Sequence, residues 1–368
     1  MRWRWLVVAA LTLGLVSLPL AARLLPGGDS SVGAATLLSR ITASGDVGYS
    51  GFAESRGTFS LPVDGGGFGA LTELFGQTSQ LRVWWRGADD WRVDRIDVTG
   101  EDDLYRDGDR LRTWNYESDS AAQGEAPQSL RLPRADDALP TTLARRLLSE
   151  ATADEVSRLP GRRIAGEQTA GLRVRVGDPR STIETIDVWA LPGDGLPLRV
   201  EVHARGASLP VFTSAFLDVT PARPAAADTA YRPRPAPGFT APIYGDLLQF
   251  IDQLGRGTPP ATLAGLPRRT DLDLGAVGAY GRGATLLVAV PMTARVAGEV
   301  VPQVRRAPGA VENATGIVAG LGPLSVALSP PEGFGARWLL VGTLTTPSLV
   351  DALPGLPSLR DYRFGYGR

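Results

Sequence analysis

A long series of short segments in which apolar and polar residues alternate restricts the fold of this chain more than any other feature. The alternation recurs between residues 47 and 220, for example over residues 81–86 and 91–98. Because successive side chains of a β-strand point to opposite faces, this pattern predicts strands with one buried face. Asp107 followed by Gly108 is a tight turn signal between two such segments, and a short turn joins antiparallel neighbours. The sequence therefore predicts one long antiparallel sheet.

Two segments in the same region change to a helical period. Leu37 and Ile41 lie on one apolar stripe, and residues 140–158 carry another that includes Leu143 and Leu147. We expect both helices to pack against the same face of the sheet. This arrangement predicts an α+β fold for residues 30–222.

Prolines divide the chain into two parts. They are concentrated just after the alternating region, at Pro221, Pro224, Pro233, Pro235, Pro237 and Pro242. Such a composition is typical of a semi-rigid linker, which we place at residues 223–242. The remaining residues, 243–368, predict a smaller C-terminal α+β domain that begins with a helix over 243–254. Its strands alternate little, so we expect its sheet to be covered on much of both faces.

The first 26 residues predict a targeting segment. Arg2 and Arg4 precede residues 5–22, which carry no charge, and a helix of that length spans about 27 Å, enough to cross a membrane core. Because the arginines come first, the positive-inside rule places everything after the segment outside the cytoplasm. The segment is either a signal anchor or a cleaved signal peptide. We therefore expect an extracytoplasmic protein that is anchored at the cell membrane, or secreted if the signal is cleaved.

The composition excludes many kinds of active site. The chain has no Cys, no Lys and a single histidine, His203, which excludes thiol nucleophiles, lysine-dependent phosphate loops and sites that need two imidazoles. His203 falls on the outward-facing side of its predicted strand, and no acidic pair has the spacing of a calcium loop. The 38 basic and 39 acidic residues create no field that would attract nucleic acid. We predict a protein without catalytic, metal or cofactor sites.

Several short motifs resemble the LolA-like superfamily of lipoprotein carriers, and most closely its RseB (MucB) type. They are WRVD at 91–94, LYRDG at 104–108, WNY at 114–116, DVWALPGDGLPLRVE at 187–201 and FLDV at 216–219. The resemblance implies an unclosed, strongly curved half-barrel sheet wrapped on helices. It also implies an apolar cavity between sheet and helices for acyl chains or a partner peptide. RseB-type proteins are periplasmic regulators of an anti-sigma factor, and they too carry a smaller C-terminal domain.

Aromatic and aliphatic residues of the predicted sheet are the candidate lining of such a cavity. They are Leu81, Val83, Trp85, Trp91, Val93, Tyr105, Trp114 and Tyr116. The alternative interpretation is that these side chains fill the core, since a sheet packed on helices needs them in either case. The pattern alone leaves both interpretations open.

These observations lead to two principal hypotheses about function. The first is a membrane-anchored binding protein that holds a lipid or acylated molecule, in lipoprotein or lipid handling or in envelope sensing. The second is an RseB-like regulator, without catalysis, that binds an anti-sigma factor or another membrane protein. An enzyme acting on cell-wall polymers and a structural component of the envelope are further alternatives.

Overall fold

The computed structural model describes residues 30–58, 76–98, 100–126, 133–232, 240–242, 257–271 and 275–362. The predicted targeting segment and the predicted helix over 243–254 lie outside these residues. Within the described part of the chain, none of the helices has the length and hydrophobicity that a membrane span requires.

The first domain is built on one sheet of twelve strands. The strands are β1 (Tyr49–Gly57), β2 (Thr78–Gly87), β3 (Asp90–Ile96), β4 (Glu101–Asp107), β5 (Arg110–Asn115), β6 (Ser120–Glu125), β7 (Val156–Leu159), β10 (Ala170–Arg175), β11 (Ile183–Ala190), β12 (Pro197–Ala204), β13 (Phe212–Thr220) and β14 (Thr240–Pro242). Their order is β14-β6-β5-β4-β3-β2-β1-β13-β12-β11-β10-β7, and all neighbours are antiparallel except β14 and β6. The end strands β14 and β7 do not pair with each other, so the sheet is not closed. The predicted α+β class and the unclosed antiparallel sheet are confirmed.

Two helices, α1 (Ala34–Ala43) and α2 (Pro140–Leu148), pack against one face of this sheet. Helix α1 buries its predicted apolar stripe, and α2 begins with Pro140, whose fixed φ suits the first helical position. Two hydrogen bonds connect the α2 region to the sheet. The Tyr49 hydroxyl lies 2.6 Å from Thr141 Oγ1, and Ser214 Oγ donates to the Ala138 carbonyl oxygen at 2.6 Å.

One sequence prediction was wrong in the first domain. The helical period predicted over 140–158 ends at Leu148, because residues 156–159 form β7 and pair with β10. In the second domain, the glycine-rich residues 275–281 include the start of β17 (Gly278–Arg282). Gly281 has φ +87°, and a Cβ there would lie 2.2 Å from the Thr285 carbonyl oxygen, so the tight hairpin itself requires the glycine.

The second domain has a six-stranded antiparallel sheet in the order β17-β18-β22-β21-β20-β19. The strands after β17 are β18 (Thr285–Met292), β19 (Val311–Asn313), β20 (Gly316–Leu321), β21 (Leu324–Leu328) and β22 (Arg337–Gly342). Helix α4 (Ala294–Arg306) packs in one apolar cluster and helix α5 (Thr346–Ala352) in another. The side chains of β20 point alternately into the two clusters. The expectation that both faces of this sheet are covered is confirmed.

Shorter elements complete the described fold. Two two-stranded hairpins and a one-turn helix lie between the larger elements, namely β8 (Arg163–Ile164) with β9 (Glu167–Gln168), β15 (Thr262–Leu263) with β16 (Leu266–Pro267), and α3 (Ala226–Thr229). Both α3 and β14 come from the proline-rich segment. They contact the main sheet, α3 at β2 and β3 and β14 at β6.

Backbone hydrogen bonds join the two domains where β11 begins and β22 ends. Thr182 N donates to the Thr343 carbonyl oxygen and Thr345 N donates to the Arg180 carbonyl oxygen, both at 2.7 Å. The Thr182 hydroxyl adds a bond of 2.6 Å to the Pro323 carbonyl oxygen. The contact between domains therefore has the hydrogen-bond pattern of strands as well as side-chain packing.

Candidate ligand cavity

Five of the eight predicted cavity residues lie together in the packed core between the sheet and the helices. They share one face of β2 and β3, and none is more than 3% exposed: Leu81, Val83, Trp85, Trp91 and Val93. The Trp85 ring stacks between Trp91 and Tyr49, with centroid separations of 5.4 and 6.0 Å. Its Nε1 donates to the Gly45 carbonyl oxygen at 2.8 Å. Side chains fill the interior of the sheet at this position.

The other three predicted cavity residues, Tyr105, Trp114 and Tyr116, lie on the opposite face of the sheet. Leu104 pairs with Val93 and therefore takes the inner position, whereas Tyr105 pairs with Arg92. Tyr105 and Trp114 are nearly buried on that outer face, and Tyr116 is 37% exposed. The structure therefore does not bring the eight residues together. Counting strand positions from the turn at Gly108 would have separated the two groups.

A half-buried arginine, which the sequence pattern did not single out, closes the inner aromatic stack. The Arg145 guanidinium on α2 lies over the Trp85 ring, 5.2 Å from its centroid. Burial lowers the pKa of Arg145, and its Nη2 makes one long hydrogen bond of 3.4 Å to Thr142 Oγ1. The helical position alone could not reveal this contact, because it depends on how α2 crosses the sheet.

The outer face of β3 and β4 carries a buried cluster of acids around Arg92. The guanidinium donates to Asp94 Oδ1 at 2.6 Å and to Asp103 Oδ2 at 3.0 Å. The other oxygens of these two carboxylates are buried without a hydrogen-bond donor. Burial, with the nearby Asp103 carboxylate, raises the pKa of Asp94 to about 8 against the opposing effect of Arg92. Carboxylate oxygens of Asp94, Glu101 and Asp103 lie within 4.8 Å of one another, close enough to surround a cation or to share a proton.

A second group of side chains with the spacing of metal ligands, Asp187, Glu201 and His203, lies on the outer face of β11 and β12. His203 Nε2 lies 3.4 Å from Glu201 Oε2 and 3.6 Å from Asp187 Oδ2. Arg173 donates to both oxygens of Asp187, at 2.7 and 2.6 Å, and Arg199 donates to Glu201 at 2.7 Å. Since guanidinium groups already compensate both carboxylates, a metal would bind here only by displacing them. His203 is on the predicted outward face, but its side chain is only 21% exposed.

A cavity of about 510 Å³ lies between the two domains. This volume falls in the range of small-molecule sites. Its apolar wall comes mainly from the end of α2, β10 and β11, with a smaller part from the second domain: Leu147, Val174, Val176, Ile186, Leu266 and Ala284. The cavity forms only where the two domains meet, so the sequence motifs of the first domain could not predict this site.

Ion pairs connect the two domains beside this cavity. Arg282 of β17 contacts the Glu155 carboxylate and donates to the Glu150 carbonyl oxygen at 2.9 Å. The Glu150 carboxylate in turn lies 2.7 Å from Arg269 Nη2 and accepts from Gly283 N. On the cavity wall, hydrogen bonds from Arg180 lower the pKa of Asp178, so that this carboxylate is an ionised acceptor. The cavity therefore offers both charged and apolar side chains to a ligand.

Comparison with known proteins finds similarity only among solved structures. No protein-family model and no curated protein matches the chain. The complex of MucA and MucB from Pseudomonas aeruginosa matches at 15% identity and a TM-score of 0.47, covering 87% of this chain and 96% of that chain. MucB in complex with MucA(peri) matches at 15% identity and a TM-score of 0.46, with the same coverage.

A LolA superfamily protein from Nitrosomonas europaea matches a smaller part of the chain. Its identity is 13% and its TM-score 0.21, covering 52% of this chain and 92% of that chain. MucB and LolA are the two protein types that the sequence motifs resemble.

Proposed function

We propose that this chain is a non-catalytic, extracytoplasmic binding protein that takes an acyl chain or lipidated molecule in the cavity between its two domains. Residues 1–26 would hold it at the membrane, as their sequence predicts. Such a protein would serve lipoprotein or lipid handling, or sensing of the envelope. The observation that carries the proposal is the cavity itself, whose volume of about 510 Å³ and apolar wall suit a hydrocarbon chain.

Native mass spectrometry of the full chain, purified from its source membrane and followed by lipid extraction, tests this proposal. We expect a lipid or acyl species at a stoichiometric level. The Ala151→Trp variant should lose it, because Ala151 lies on the cavity wall and the indole would occupy the space. Ala207→Trp is the matched control, since Ala207 lies in an exposed turn. A ligand-free mass, or equal loading of both variants, would contradict the proposal.

A second function rests on the position of the same cavity. Because both domains line it, a ligand would favour the domain arrangement that fits it and could thereby change affinity for a partner. We propose as the alternative a regulator that docks on a membrane protein, such as an anti-sigma factor. A pull-down of membrane proteins with the full chain, before and after lipid extraction, tests it. A partner whose recovery does not depend on the ligand would argue against this linkage.

A further inference from the structure

Three carboxylates on the outer face of β3 and β4, which we call the outer acidic cluster, exceed the positive charge beside them. Asp94 and Asp103 lie directly opposite each other in the strand register, and Glu101 lies two residues before Asp103 on the same face. The Arg92 guanidinium lies 2.6, 3.0 and 3.9 Å from Asp94, Asp103 and Glu101 respectively. When all three acids are ionised, three negative charges face one positive charge, and two negative charges remain uncompensated.

Two oxygens of the outer acidic cluster are buried without a partner. Arg92 donates to Asp94 Oδ1 and Asp103 Oδ2, and the Tyr105 hydroxyl also donates to Asp103 Oδ2, at 2.8 Å. Asp94 Oδ2 and Asp103 Oδ1 accept no hydrogen bond from the described residues. Since the two side chains are 0% and 2% exposed, bulk water does not solvate these oxygens. Leaving them uncompensated costs free energy, which a bound cation would recover.

The other nearby guanidinium does not supply the missing charge. Arg82 of β2 pairs with Asp94 in the strand register. Its guanidinium instead lies over the Trp84 ring, 6.0 Å from the centroid. Within the described ranges, Arg92 is thus the one cationic side chain that forms ion pairs with the outer acidic cluster.

We propose that the outer acidic cluster binds one Ca²⁺ ion, with Asp94, Glu101 and Asp103 as its protein ligands. A divalent cation would balance the two uncompensated charges, and carboxylate oxygens are ligands that hard cations prefer. One oxygen of each carboxylate lies within 4.8 Å of the other two. Ca²⁺ holds oxygens at about 2.3–2.6 Å, so it spans separations of up to about 5 Å, whereas Mg²⁺ at about 2.0–2.1 Å spans about 4.2 Å.

The rim of this site admits the ion and its remaining water ligands. The Glu101 side chain is 28% exposed, so the cluster opens to solvent on that side. Because the three ligands come from two paired strands, they lack the spacing of a calcium loop, and the sequence predicted no metal site. The site is separate from the interdomain cavity, so this inference does not depend on the proposed function.

The second group with metal-ligand spacing differs in its charge balance. Arg173 binds both oxygens of Asp187, and Arg199 donates to Glu201. Each of these carboxylates therefore already has its own guanidinium. We expect no Ca²⁺ there.

Terbium luminescence measures binding with the full chain in dodecyl maltoside micelles, after the protein has been stripped of metal with EDTA. Trp84 lies beside the site, since its ring centroid is 5.0 Å from the Arg92 guanidinium, and it should sensitise a Tb³⁺ ion bound there. Ca²⁺ should displace the Tb³⁺ with a dissociation constant of about 10⁻⁴–10⁻³ M, the range of extracellular calcium modules. Mg²⁺ should be at least about tenfold less effective.

Two variants locate the site. Glu101→Gln and Asp103→Asn should each weaken Ca²⁺ binding at least about tenfold, because each removes one charged ligand. Glu54→Gln is the matched control and should change nothing. Glu54 lies on β1 of the same sheet, is 26% exposed and pairs with one arginine, Arg56, at 3.0 Å.

Each result decides for or against the site. Glu101 is partly exposed, so Glu101→Gln should fold even if Asp103→Asn does not, and it then decides alone. Sensitised emission that Glu101→Gln leaves unchanged would indicate adventitious binding and overturn the proposal. The absence of Ca²⁺-displaceable emission in the wild-type chain would also overturn it and favour a proton shared by Asp94 and Asp103. Displacement by Mg²⁺ as effective as by Ca²⁺ would overturn the assignment to Ca²⁺.

Discussion

Trp85 is the residue on which the inner aromatic stack depends. Its ring contacts Trp91 and Tyr49 on the sheet and Arg145 on α2, and it is 3% exposed. Truncation to alanine would leave a void that such a packed site cannot refill. We expect Trp85→Ala to lower the free energy of unfolding by about 3–5 kcal/mol in urea titrations.

Trp84→Ala is the control for that measurement, because Trp84 points to the opposite face and is half-buried. It should cost clearly less than Trp85→Ala. Val83→Glu extends the test to the predicted lining role, because Val83 is fully buried on the same face and burying an unpaired charge in a packed core should unfold the domain. A folded Val83→Glu variant that has merely lost lipid binding would instead support a ligand cavity inside the sheet.

We expect Asp94 to make the stability of the protein depend on pH. Its pKa, raised by burial to about 8, exceeds the value near 3.8 of an exposed aspartate, so the folded state binds more protons than the unfolded state between these values. The free energy of unfolding should therefore fall as the pH rises through this window, by at most about 1.4 kcal/mol per unit. Urea titrations between pH 5 and 8 measure the slope.

Asp94→Asn should flatten this slope, because asparagine keeps the size of the side chain and does not titrate. Asp109→Asn, in an exposed turn, is the control and should keep the wild-type slope. An unchanged slope in Asp94→Asn would assign the pH dependence to other groups.

At the scale of elements, the hairpin between β4 and β5 depends on one glycine. Gly108 has φ +60°, and a side chain there would meet no neighbouring atom. Gly108→Ala should therefore act only through the backbone conformation. We expect it to lower the free energy of unfolding by about 1 kcal/mol, as measured by thermal denaturation. Gly193 lies in another turn and has no positive φ, so Gly193→Ala should lower the free energy of unfolding less. Equal costs would show that φ is not the reason.

The strands and their antiparallel order were predictable because alternation and turn signals are local properties of the sequence. The end of α2 was not, since residues 156–159 become β7 only through pairing with β10. Strand β17 was not predicted for a similar reason, because Gly281 makes a close backbone contact with Thr285 of β18 that no local pattern expresses.

The candidate site was less predictable than the fold. The inner residues around Trp85 were found because apolar alternation marks one face of a strand. Tyr105 and Trp114 were assigned to the same cavity by their aromatic character, although strand register places them on the other face. The interdomain cavity combines Val174 with Leu266, and a contact over such a sequence separation is a property of domain docking.

At the scale of the whole molecule, the pairing of Glu150 with the second domain should stabilise the domain contact. Glu150→Gln removes the charge that faces Arg269 and Gly283. We expect the amides of Thr182 and Thr345 to exchange hydrogen about two- to fivefold faster, as measured by mass spectrometry. Glu312→Gln, which breaks a pair with Arg305 on the surface of the second domain, is the control. Equal exchange in both variants would show that Glu150 does not hold the domains.

The short strand β14 covers β6 at one end of the twelve-stranded sheet. By pairing in parallel with β6, residues 240–242 satisfy backbone groups at one end of the twelve-stranded sheet. An uncovered strand edge is a template on which other chains can add. We therefore expect the segment between the domains to protect the first domain against edge-to-edge aggregation, and a fragment truncated after residue 222 to lack that protection.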